Sequence, residues 1–155
     1  VKIKILILLA ALCVFLQLMG ESSAKASLSV RSDIKSNQQV FVGVLNESQY
    51  RKIFADEQEN EKAVYTREYR VTSDKLTAPG GLVIPDLAAG EYAVIVYVDK
   101  NNNGDFDEGV LGPAEPWGMS RLEKGVLLSA PKFKEVSFTI REGESKQITV
   151  KLVKE

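Results

Sequence analysis

Apolar and polar positions alternate with a period of two through most of the chain, the pattern of strands that bury one face. Leu28, Val30 and Ile34 begin one such stretch, Val40, Val42 and Val44 make a second, and Tyr65 to Val71 forms a more polar third. Leu82-Val83-Ile84 is a short apolar run interrupted by Pro85. Tyr92 to Val98 is apolar at every position, which predicts a central strand covered on both faces. Val136, Phe138 and Ile140 alternate with Ser137 and Thr139, and Ile148, Val150 and Leu152 alternate with Gln147, Thr149 and Lys151. The intervening Arg141-Glu142-Gly143-Glu144 turn predicts a terminal antiparallel hairpin. Pro79-Gly80-Gly81 and Ala89-Gly90 supply further turns, so the whole predicts an all-β antiparallel sandwich of seven strands.

Two regions depart from this rhythm. Between Ser48 and Ala63 the apolar residues Tyr50, Ile53 and Phe54 fall at helical spacing, which predicts one short amphipathic helical insert followed by a solvated, charge-rich segment. At the other extreme, Val1 to Lys4 carries two lysines and leads into an apolar run from Ile5 to Met19, followed by Ala24-Lys25-Ala26. That order predicts a secretory signal peptide over residues 1–26 and one domain over 27–155, since the run is shorter than the roughly 20 residues that span a bilayer. A first residue of Val rather than Met is read as an alternative start codon, pointing to a bacterium. The expected location is therefore exported, periplasmic or secreted.

Composition narrows the chemistry. The chain has no histidine, and its single cysteine, Cys13, lies in the apolar run behind Leu12, where a lipoprotein signal wants a small residue. Nucleophilic or acid–base catalysis by Cys or His is excluded, as are zinc sites built on thiolate or imidazole. No disulfide can form, so the fold rests on its core alone or on a core with a bound ion. Removing Lys2, Lys4, Lys25 and Glu21 with the leader shifts the formal net charge from −1 to −3. Mild acidity argues against nucleic acid as a partner.

One segment advertises chemistry. Residues 99–107 read D-x-N-x-N-G-x-x-D, with Asp99, Asn101, Asn103 and Asp107 around Gly104. Calcium takes six to eight oxygens from such loops, and a glycine at the sixth position permits the sharp reversal. The candidate ligands are Asp99, Asn101, Asn103, the Asp105 backbone carbonyl and Asp107, with Glu108 or Glu115 in reserve, because the twelfth position is Val110 instead of the usual bidentate Glu. With amides at two places, the expected affinity is weak, on the order of 10⁻⁴ to 10⁻³ M. The alternative is an Asn/Gly-rich connection closed by Asx turns, which needs no metal. Downstream, Leu111 to Ser120 holds Pro113, Pro116, Gly112 and Gly118 around Trp117, the only tryptophan. Trp117 is either a platform for a sugar or peptide or a plug for the end of the sandwich. Glu115 is a candidate metal ligand, amide cap or solvent-facing acid, whereas Tyr92, Tyr97 and Phe133 read as core.

Gly90-Glu91-Tyr92-Ala93-Val94, Asp99 through Asp107, Pro113 to Ser120 and Ala130-Pro131-Lys132-Phe133 together resemble an uncharacterised bacterial family, domain of unknown function 2141, over about residues 82–153. The order of motifs carries the likeness; the chain departs from it at Leu111-Gly112 and at Met119, where the family usually has an aromatic. The resemblance implies an exported β-sandwich, immunoglobulin-like or prealbumin-like, akin in shape to transthyretin-like and carboxypeptidase-regulatory modules, with no established activity. Hydrolases of transthyretin-like shape depend on histidines that this chain lacks. Three functions compete: a noncatalytic, calcium-stabilised module acting on an unidentified protein or glycan of the cell envelope; carbohydrate or peptide recognition by Trp117 and its neighbouring loops; and hydrolysis by a pair such as Asp107 and Glu115, which requires environments that separate their pKa values.

Overall fold

The computed structural model describes residues 25–34, 37–54, 64–109, 112–123 and 130–153. Residues 1–24 of the expected leader lie outside this set. The described chain is mostly β, in two main sheets with a few short helices. Strands β1 (Ala26–Ser32), β4 (Leu82–Leu87) and β10 (Ser145–Val150) form a small sheet in the order β10-β1-β4. Strands β2 (Gln39–Leu45), β3 (Arg67–Thr72), β5 (Gly90–Asp99) and β8 (Trp117–Met119) form the larger one in the order β3-β2-β5-β8, and β9 (Phe138–Ile140) pairs the start of β5. Ala26, where the leader is expected to be cut, already belongs to β1 and pairs with Leu87.

Alternation decides what each face of the larger sheet buries. Val40, Val42 and Val44 of β2 and Val94, Val96 and Val98 of β5 point toward the small sheet, meeting Leu28, Val30, Ile84, Leu87 and Val150 in the main core. Residues one step out of phase, Phe41, Leu45, Ala93, Ile95 and Tyr97, form a second core on the opposite face. Both faces of β5 are thus covered, and every residue from Tyr92 to Val98 is buried, as its unbroken apolar run predicts. Each valine so buried contributes about 1.5–3 kcal/mol relative to an exposed one.

The outer face is covered by α1 (Glu47–Phe54) and α3 (Phe133–Val136), with Tyr50 and Phe133 buried and Ile53 and Phe54 packed alongside. Helix α1 starts where Asn46 Oδ1 accepts the Gln49 N–H and Gln49 Oε1 accepts the Asn46 N–H, a reciprocal capping box. The Tyr50 hydroxyl donates to the Pro131 carbonyl at 2.6 Å, tying α1 to the segment that leads into α3. Burial, with Glu135 nearby, pushes its pKa up to about 12. The remainder of the charged segment, residues 55–63, lies outside the described residues.

The structure corrects the expected topology in three places. There is no terminal hairpin: β9 runs against β5, while β10 crosses to the small sheet and pairs with β1 in parallel, Val30 opposite Ile148. The Arg141–Glu144 turn therefore carries the chain between sheets. Its Glu144 carboxylate accepts the Arg141 N–H, which with Lys146 lowers its pKa. Val136 ends helix α3 instead of beginning a strand, and a third helix, α2 (Asp74–Thr77), accompanies the one foreseen. Three short strands lie in the glycine- and proline-rich region, β8 and the pair β6 (Glu108–Gly109) and β7 (Gly112–Pro113).

Candidate functional site

The apolar strand β5 ends by delivering Asp99, buried at 5% exposure, to one end of the larger sheet. From there the chain makes an excursion and returns to the same place. Gln39 and Asp99 close one side of the stem; on the other, the Val98 N–H donates to the Pro116 carbonyl at 2.8 Å and β8 pairs with β5 from Trp117 opposite Tyr97 onward. Inside the excursion, Asn102 and Gly104 adopt positive φ of 56° and 86°. A side chain at Gly104 has room, meeting only Arg70 Nη1 at 3.8 Å, so the glycine is required by its backbone angle.

Two carboxylates organise this loop from within. Asp99 Oδ1 accepts the Asn103 N–H at 3.1 Å and Oδ2 accepts the Gly104 N–H at 2.8 Å. Glu115, 3% exposed, accepts the Lys100 N–H at 2.8 Å and, more weakly, the Asp107 N–H at 3.4 Å. The short β6–β7 pairing, with the Ala114 N–H on the Asp107 carbonyl, turns the chain back so that Glu115 reaches both ends of the loop. Glu115 is thus an amide cap.

At the centre the side chains of Asn101, Asn103 and Asp107 converge. Asn101 Nδ2 donates to Asp107 Oδ2 at 2.6 Å, and Asn103 Nδ2 donates to Asp107 Oδ1 at 3.0 Å. The amide oxygens are engaged as well, Asn101 Oδ1 with the Asn103 N–H and Asn103 Oδ1 with the Asp105 N–H. These are Asx turns, so the loop closes by its own hydrogen bonds. The Asp105 side chain is exposed, and the Glu108 side chain lies outside the described part. Among the described residues no group of three or more carboxylates, histidines or cysteines gathers as a metal cluster. What gathers is one carboxylate and two amides, an all-oxygen donor set of the type a hard cation accepts once the amides turn their oxygens inward. In the present arrangement the positive ends of two amide dipoles face the Asp107 carboxylate, where a cation would otherwise compensate it.

The loop is also anchored to the second core. Phe106 packs on Tyr97 at 5.0 Å between ring centroids, and Tyr97 stacks on Phe41 at 4.8 Å. Register places Arg70, Phe41, Tyr97 and Trp117 side by side across β3, β2, β5 and β8. Arg70 lies over the Phe41 ring at 5.3 Å and near the Tyr97 hydroxyl, whose pKa is raised by burial against the opposing pull of that guanidinium. Arg70 therefore brings a cation to the edge of the acidic loop, a contact set by strand register that the sequence did not flag. Trp117 is partly buried and packs against this cluster.

Ser120, the last residue of the same motif, is fully buried. Its hydroxyl accepts the Val94 N–H at 2.9 Å and donates to the Val136 carbonyl at 2.6 Å, joining β5 to α3. Ser120→Ala strands the Val94 donor in the core and is expected to cost about 2 kcal/mol, measured by urea unfolding.

The family model for DUF2141, described as an uncharacterised protein conserved in bacteria, matches residues 29–149. No curated protein and no solved structure matches the chain.

Proposed function

Taking as premise that the chain belongs to the bacterial DUF2141 family, we propose that it is a noncatalytic, exported β-sandwich module of the cell envelope whose 99–107 loop is a weak calcium clip. The observation that supports this reading is the convergence of Asn101 and Asn103 on the Asp107 carboxylate, with the buried carboxylates of Asp99 and Glu115 beside it. One carboxylate with two amides that can turn their oxygens inward is a donor set that a hard divalent cation accepts. Asp107 would supply carboxylate oxygen, Asn101 and Asn103 amide oxygen, and Asp99 the frame that positions them. The role is structural: the ion would hold the excursion, and with it Phe106, against the sheet.

A noncatalytic reading follows from the same hydrogen bonds. Asp99 and Glu115 are committed to backbone N–H groups and Asp107 to two amides, so these three loop acids are engaged as hydrogen-bond acceptors, which supports a structural role for them. The immunoglobulin-like or prealbumin-like form of the sandwich, and an envelope protein or glycan as partner, belong to this proposal.

The test is thermal unfolding in calcium. With a dissociation constant of 10⁻⁴ to 10⁻³ M, 10 mM calcium is expected to add about 1.4–2.7 kcal/mol, a rise of roughly 5–10 °C in Tm. Asp107→Asn should abolish most of the rise while leaving the calcium-free Tm within a few degrees. A Tm that responds no more to calcium than to sodium chloride of equal ionic strength rules the clip out and leaves an Asx-closed loop.

A further inference from the structure

On the side of the second core away from the acidic loop, α1 and the 130–134 segment line an open groove of about 540 Å³, within the range of roughly 300–1,000 Å³ that small-molecule sites occupy. Tyr50, Phe54 and Phe133 line it, with Tyr50 tilted 40° to Phe54 at 4.7 Å and 58° to Phe133 at 5.5 Å. Tilted rings make a concave apolar surface instead of a flat stacking platform. The polar rim is unbalanced. Its one lining carboxylate, Glu47, is bound by Arg51 at 2.6 Å, whereas Lys132 and Lys134 have no carboxylate partner among the described residues. Glu135, which also faces Tyr50, is held by the Lys132 N–H.

We propose that this groove is a binding site for a small amphiphile with an apolar body and a single carboxylate. The rings accept the body, and Lys132 and Lys134 at the rim meet the anion as mobile point charges. A sugar suits the site poorly. Its many hydroxyls need acceptors, yet Glu47 is engaged by Arg51 and the Tyr50 hydroxyl already donates to Pro131. The site is independent of the 99–107 loop and of any cation there.

Dodecanoate is the probe, with dodecyltrimethylammonium as its charge-swapped control, titrated into the purified protein below micellar concentration and followed by ¹H–¹⁵N shifts. Saturable shifts centred on Tyr50, Arg51, Phe54 and residues 132–134 are expected, equal in calcium and in EDTA. Lys132 and Lys134 are exposed, so K132E/K134E should keep the wild-type Tm while weakening dodecanoate by about tenfold or more, and Lys134→Glu alone by less. Equal affinity for the ammonium chain, undiminished binding by K132E/K134E, or shifts centred elsewhere overturns the proposal. So does the absence of saturable binding, as when a segment of the chain itself or a second copy fills the groove.

Discussion

Asp99→Ala is expected to lower stability by about 2–3 kcal/mol in the absence of calcium and to loosen the 99–107 loop more than the sheet. The Asp99 carboxylate is the shared acceptor for the Asn103 and Gly104 N–H groups, and hydrogen bonds to a charged group are each worth about 1.5–3 kcal/mol. Full additivity is not expected. Asn103 is exposed, so water replaces part of what is lost, and its N–H keeps Asn101 Oδ1 as an acceptor. Asp99→Asn should cost about half as much, because its amide keeps one acceptor oxygen but aims a donor at the second N–H. Hydrogen exchange separates this cause from general destabilisation: the Gly104 amide should lose protection in Asp99→Ala before the Val94 and Val96 amides do, with a smaller loss at Asn103, whose N–H keeps Asn101 Oδ1 as an acceptor. Uniform loss across β5 would show that Asp99 acts through the strand and not through the loop.

That experiment also marks how far the sequence carried. The loop was legible because its chemistry is local: acceptor side chains at Asp99, Asn101 and Asn103 lie within five residues of the N–H groups they bind, and Gly104 marks the positive φ. Strands β1 to β3 were legible for the same reason, since a period of two needs no knowledge of partners, and β4 and β5 were legible from their unbroken apolar runs. Pairing was another matter. The alternation of Ile148 and Val150 is the same whether β10 returns beside β9 or crosses to lie parallel to β1, and only the shape of the main core decides between them. Arg70 was invisible because its value comes from standing opposite Phe41, a consequence of register, in a strand whose other charges simply guard an edge. Strands β6, β7 and β8 were hidden because glycine and proline there signal a turn, and the pairing that fixes them belongs to the stem and not to the segment. Glu115 stood open among three roles until its burial selected one, an acceptor for Lys100 and Asp107.

Gly118→Ala and Gly118→Val are both expected to cost about 3 kcal/mol or more, and by nearly equal amounts. Gly118 sits in β8 opposite Val96, and a Cβ built there falls on the Lys151 carbonyl and within 3.0 Å of Val150 Cγ1. Lys151 is where the chain leaves β10, and two residues later the Val153 N–H donates to the Trp117 carbonyl at 2.6 Å. The small sheet thus leans on the larger one through bare backbone, and the obstacle to a side chain is a carbonyl that no rotamer change can move aside. Overpacking a core costs about 1–3 kcal/mol where side chains can yield; here the sheets must part, and the Val153 bond, worth about 1 kcal/mol, goes with them. Since the first added carbon already makes the clash, the further methyls of valine add little. Urea unfolding of the two variants tests this directly, with the Trp117 emission reporting whether β8 has shifted. An alanine variant that loses under 1 kcal/mol while valine loses far more would mean that the β8–β10 junction gives way easily, and that the closure of the stem beneath the acidic loop does not depend on this contact.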